Sequence, residues 1–109
     1  MKTGYVYIMS NKLRTVLYIG VTNSVERRAL EHKAGVGSKF CNRFQCYYLV
    51  FYEDFQDITG AIEREKQMKL WKREWKENLI RQNNPEMIDL AAEWYTEAQI
   101  AELKESTVR

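Results

Sequence analysis

The chain reads as an α+β domain: a small three-stranded antiparallel sheet flanked by helices, in the order β-β-α-β-α-α. Three observations predict it. Three short runs are crowded with aromatic and β-branched residues, as strands are. The segments between and after them carry helix start and stop signals. The 109 residues, 45% hydrophobic and 29% charged, suffice for one packed core and leave little room for a second.

Residues 5–9, Tyr-Val-Tyr-Ile-Met, form the first expected strand, and Ser10-Asn11-Lys12 has the composition of a turn. Residues 15–21, Thr-Val-Leu-Tyr-Ile-Gly-Val, form the second, giving an antiparallel hairpin with a longish loop. Thr22, Asn23 and Ser24 offer several N-caps for a helix over residues 24–34, and Asn23 with Glu26 resembles a capping box. Gly35 is a natural residue to follow that helix. The basic, glycine-bearing segment 35–43 reads as a loop, and residues 47–55 as the third strand. Thr59 is the expected cap of one long helix over residues 59–81, ended by Asn83-Asn84-Pro85. A short helix or turn is expected over residues 89–94. A final helix over residues 96–104 opens on Thr96 and Glu97.

A net charge of +2 excludes a histone-like blanket of positive charge, so nucleic-acid affinity would need basic residues gathered on one face. Lys66, Lys69, Arg73 and Lys76 recur at helical spacing, and Lys39 and Arg43 sit in the basic loop. Such groups hold phosphates without reading sequence; the plainer reading of the stripe is a solvated face. Cys41, Cys46 and the single histidine, His32, are too few for a structural zinc site of about four ligands. The cysteines are expected to be reduced thiols. The N-terminus lacks a signal-peptide core and no apolar run approaches the ~20 residues of a membrane span, so a cytoplasmic protein is expected.

Tyr7 and Tyr18, on adjacent expected strands, can meet across the hairpin. Arg28 and His32, four apart, share a helix face. Ala61, Met68, Trp75 and Leu79 mark an apolar stripe, and Glu65 falls beside it, where a carboxylate needs a partner. Either an ion pair with Lys69 or a bound magnesium would serve.

Tyr5-Val6-Tyr7, then Tyr18-Ile19-Gly20, then a helix carrying Arg28, together resemble the GIY-YIG nuclease family, closest to its small single-domain bacterial members. Tyr5 and Val6 stand where that family has Gly and Ile, and Tyr18-Ile19-Gly20 matches letter for letter. The similarity runs from about residue 4 to residue 90, with residues 1–95 as the nuclease domain and 96–109 as a helix or tail of the same domain.

The resemblance implies a metal-dependent DNA endonuclease, acting in repair or on branched or single-stranded DNA. It implies catalytic roles for Tyr7, Tyr18, Arg28 and His32, and a single magnesium, or manganese in its place, on Glu65. Arg28 would hold the scissile phosphate through its planar fork. A free tyrosine, with pKa near 10, is only about one part in a thousand ionised at pH 7, so it needs a neighbouring cation to act as a base. Lys39, Arg43, Lys66, Lys69, Arg73 and Lys76 would contact the DNA backbone. Asn78, Asn83 and Asn84 are candidates for the asparagine that completes many such sites. With no separate DNA-binding domain expected, substrate selection falls to the core or to a protein partner. The alternative is a nucleic-acid-binding module with weak or no catalysis.

Overall fold

A computed structural model describes residues 1–107, so of the expected 96–109 tail, residues 108–109 lie outside the described residues. The α+β fold is as expected. Strands β1 (Gly4–Ser10), β2 (Leu17–Thr22) and β3 (Tyr48–Phe55) form one antiparallel sheet in the order β2-β1-β3. β1 is therefore central, which explains why both of its faces are apolar. Val6 and Ile8 point to one core, with Ile19, Val50 and Phe51. Tyr7 and Met9 point to the other, with Leu49. The pairing of β1 with β3 slips between Ile8 and Met9, whose partners are Phe51 and Leu49. Val50 is the extra residue, and the slip puts Val50 and Phe51 on the same side.

Helices cover both faces. α1 (Val25–Lys33) and a short α2 (Lys39–Phe44) lie on the Tyr7 side, contributing Val25, Ala29 and Cys41. α3 (Ile58–Lys69) and α4 (Arg73–Asn83) lie on the Val6 side, contributing Ala61, Met68 and Ile80. α5 (Glu97–Thr107) packs against α1. Gly35 follows α1 with φ 78°, and Thr96 opens α5 with its hydroxyl accepting from Gln99 N at 3.1 Å.

Several local expectations are corrected. The cap of α1 is Ser24, whose side chain accepts from Arg27 N; Asn23 instead accepts from the Arg27 guanidinium. Segment 35–43 is not all loop. Ser38 caps α2 by accepting from Cys41 N, and Gln45 ends it in the left-handed region at φ 58°. The long helix is two helices, and its cap is Asp57 rather than Thr59. One straight helix over residues 59–81 would run about 34 Å. The eight residues of β3 span only about 26 Å. The break at residues 70–72 returns the chain over the sheet, with Trp71 packed on the core and the Arg64 guanidinium 5.1 Å from its ring. It also ends the proposed apolar stripe, because Trp75 is half exposed.

The C-terminal stretch locks onto the bulge. Asn84, buried, donates to Val50 O and Ile88 O and accepts from Ile88 N. Asp89 accepts from Leu49 N and Ala91 N, each at 3.0 Å, and pairs with Lys33 of α1, which also donates to Tyr47 O. Residues 90–94 form a turn, and Trp94 meets the Tyr52 ring edge-on at 5.9 Å.

Candidate active site

Tyr7 lies at the middle of the central strand, on the face that α1 covers. Its cross-strand partner is Gly20, and Tyr18 lies on the diagonal, opposite Met9. A Cβ on Gly20 would stand 2.4 Å from Tyr7 Cζ and Oη, so the ring can lie down only over a glycine. That gives the last letter of Tyr18-Ile19-Gly20 a physical meaning: it makes room for the other tyrosine. Gly20→Ala is expected to lower stability by about 1–3 kcal/mol by overpacking. A thermal melt checks it; an unchanged midpoint would mean that the Tyr7 ring is free to move aside.

One turn of α1 supplies the partners. The Tyr7 hydroxyl lies 2.8 Å from His32 Nε2 and accepts from Arg28 Nε at 3.2 Å. The Arg28 guanidinium also donates to Glu31 Oε1 at 2.9 Å, and 27% of its side chain stays exposed. Tyr18 closes the group: its ring centroid is 6.4 Å from that of Tyr7 and 5.6 Å from His32. Tyr18 is half-buried, whereas Tyr7 and His32 are 1% exposed. Four of the candidate residues, on three elements, thus form one cluster.

Burial sets the proton affinities. It pushes the Tyr7 phenol well above its ordinary value of 10, and the nearby Arg28 charge only partly offsets this. Burial, then repulsion from Arg28, pulls His32 down from 6.5 to about 4, so its imidazole is neutral at pH 7. Burial works against the Arg28 charge but is outweighed by hydrogen bonds to Glu31 and Tyr7, which raise its pKa further. His32 Nδ1 has no hydrogen-bond partner and is buried against Gly37, where a Cβ would come within 2.7 Å of it. With Tyr7 donating to Nε2, the neutral ring carries its proton on Nδ1, which is buried without an acceptor.

Glu65 is on α3, whose Ala61 and Met68 pack on the Val6 face, and its carboxylate pairs with Lys69 at 3.5 Å. No hydrogen bond or ion pair joins it to the four clustered residues. Among the described residues there is no group of three His, Cys, Asp or Glu side chains able to hold a metal. A lone carboxylate, 20% exposed and loosely paired, fits an ion held mostly by water and phosphate oxygens, and not a closed protein site.

The basic residues are also divided. Arg73 donates to Arg14 O and Thr15 O and pairs with Glu77, so it ties the β1–β2 loop to α4. Lys69 faces Glu65, Lys66 is exposed and Lys76 is half-buried. The break between α3 and α4 separates what one helix would have kept in a row. Lys39 and Arg43 are exposed together on α2. Asn84 is fully committed to backbone groups, Asn83 is exposed, and Asn78 lines an open groove with Trp71 and Trp75. The sequence reading missed Glu31, which orients Arg28, and Phe40 and Phe44 of α2, which extend the aromatic group beyond Tyr18. Ser38 with apolar residues at 40, 41 and 44 was the available signal for that helix.

The GIY-YIG catalytic domain model matches residues 3–78. The chain belongs to the GIY-YIG nuclease family. Relatives include a UPF0213 protein of Natronomonas pharaonis, 41% identical over 76 residues, covering 70% of this chain and 88% of that one. A UPF0213 protein of Haloquadratum walsbyi is 40% identical over 75 residues, covering 69% and 83%. One from Syntrophus aciditrophicus is 36% identical over 88 residues, covering 80% of this chain and all of its own. No solved structure matches the chain. Nucleases of the GIY-YIG family generally use a divalent metal ion. Among the described residues, no helix is long and apolar enough to cross a membrane.

Proposed function

We propose that this GIY-YIG protein is a metal-dependent endonuclease that hydrolyses phosphodiester bonds of DNA, in repair or in processing branched or single-stranded DNA. The observation that carries the reading is the Tyr7 hydroxyl held between Arg28 and His32. Arg28 binds the scissile phosphate through its exposed N–H groups and stabilises the charge that builds there. The Tyr18 hydroxyl, on the half-buried ring, orients the attacking water.

Tyr7 alone is too weak an acid to serve as a phenolate. His32 is neutral at pH 7 and so is free to accept a proton, although the burial that keeps it neutral makes it a weaker base than a free imidazole. As the water gives a proton to Tyr7 Oη, Tyr7 hands its own to His32 Nε2, and no free phenolate forms. The developing negative charge on the phosphate offsets the cost of a buried imidazolium beside Arg28. Glu65 would hold the divalent ion, magnesium or manganese, whose chemistry is to polarise the phosphate and stabilise the leaving oxygen. Lys39, Arg43, Lys66, Lys69 and Lys76 would hold the flanking DNA backbone.

The pairing of Glu65 with Lys69, on a helix whose Ala61 and Met68 pack on the Val6 face of the sheet, favours the second reading, a DNA-binding module with weak or no turnover. Supercoiled plasmid incubated with magnesium separates the two. The enzyme is expected to nick it, with nicking lost on adding chelator and in Glu65→Ala. Binding without nicking at any magnesium or manganese concentration would select the module.

A further inference from the structure

Beyond Tyr18 the site does not end at a polar rim. The Phe40 ring stacks on Tyr18 with centroids 5.7 Å apart and planes 28° apart, and Phe44 packs on Phe40 at 4.7 Å. Both phenylalanines are exposed, at 44% and 41%. They lie one helical turn apart on α2, and Lys39 and Arg43 form the adjoining exposed row. The Arg43 guanidinium is 5.4 Å from the Phe44 ring. Hydrophobic burial would draw these rings inward, yet Cys41 is the α2 residue that fills the core. The result is an open row of aromatic rings that begins at a tyrosine of the reaction centre and is flanked by two cations.

We propose that Phe40 and Phe44 form a base-stacking subsite that binds unpaired nucleobases of the DNA strand next to the cut, while Lys39 and Arg43 hold its phosphates. The proposal rests on the nuclease reading of the neighbouring cluster and adds to it a determinant of substrate structure. Rings accept the face of any base, so the subsite is tolerant of sequence. In an intact duplex each base face is already covered by its neighbours in the stack. Only a single-stranded, looped or splayed segment offers a face to Phe40 and Phe44. Positive side chains beside the rings match the negative backbone that must follow such a base.

The test measures binding separately from cutting. Fluorescence anisotropy of a labelled single-stranded oligonucleotide, and of a duplex of the same sequence, is followed at fixed salt for wild type, Phe40→Leu, Phe44→Leu and the double variant. Leucine keeps apolar bulk on α2, and a thermal melt checks that each variant is folded. Wild type is expected to prefer the single strand. Each leucine variant is expected to lose about 5- to 150-fold of that preference, the loss of one stacked base. Phe40→Tyr and Phe44→Trp, which keep a ring, are expected to retain it. Lys39→Gln is expected to weaken both substrates and flatten the salt dependence without changing their ratio. Equal affinity of wild type for the two substrates, or leucine variants with an unchanged ratio, would overturn the proposal. If wild type binds single strands through these rings but cuts nothing with magnesium or manganese, the nuclease reading fails and the subsite stands.

Discussion

Tyr7→Phe is expected to reduce plasmid nicking by about 10²- to 10⁴-fold, the range for loss of a positioned proton-transfer group. The substitution removes one oxygen, which lies 2.8 Å from His32 Nε2 and 3.2 Å from Arg28 Nε. Without it, the proposed path from water to the imidazole is cut and the guanidinium loses one of its partners. The ring still fills the space over Gly20, so the fold survives. The variant should nevertheless be less stable by about 1–3 kcal/mol, because His32 Nε2 would be buried with no partner, as Nδ1 already is. Nicking within tenfold of wild type would exclude Tyr7 from the proton path.

The same imidazole gives the folded protein a defined response to acid. Well above pH 6.5, His32 is neutral in both the folded and the unfolded chain and contributes no pH dependence. Between 6.5 and about 4 the unfolded chain binds a proton that the folded chain does not, so stability falls as pH falls. The loss through this one group amounts to about 3 kcal/mol at most. Urea unfolding at pH 7 and pH 4.5 measures it, and His32→Asn should flatten the difference. A wild-type stability that is the same at both pH values would contradict the neutral, buried histidine.

Asp89→Ala is expected to cost about 3–5 kcal/mol, the penalty for leaving half of a buried ion pair behind. The Asp89 and Lys33 side chains are each only 11% exposed. Removing the carboxylate strands the Lys33 ammonium and takes the acceptor from Leu49 N and Ala91 N. Since small domains unfold at about 5–15 kcal/mol, that loss is a large share of the whole. Asp89→Asn retains an oxygen for the two amides but loses the charge, and should fall between wild type and alanine. A midpoint shift in urea worth less than about 1 kcal/mol for Asp89→Ala would mean that Lys33 escapes to solvent and the pair does not hold α1 to the C-terminal turn.

The strands were legible in the sequence because aromatic and β-branched runs report a buried sheet directly. The GIY-YIG family was legible because Tyr7, Tyr18 and Arg28 keep their spacing along the chain. Spacing of four residues placed Arg28 and His32 on one face, and β pairing allowed the two tyrosines to meet; both are local rules. What local rules could not supply was the break at residues 70–72. No proline or glycine marks it; the length of the sheet and the burial of Trp71 impose it. With the break went the single apolar stripe and the continuous row of Lys66, Lys69, Arg73 and Lys76. Only the folded chain decides which side of the sheet each helix covers, α1 the Tyr7 side and α3 the Val6 side. The proton affinities of Tyr7 and His32 likewise depend on burial by residues distant in sequence. Sequence determined the strands, the family and the residue types of the cluster, because those rest on short-range periodicity. Tertiary structure decided which of those residues meet, because that depends on how two helical layers close over one sheet.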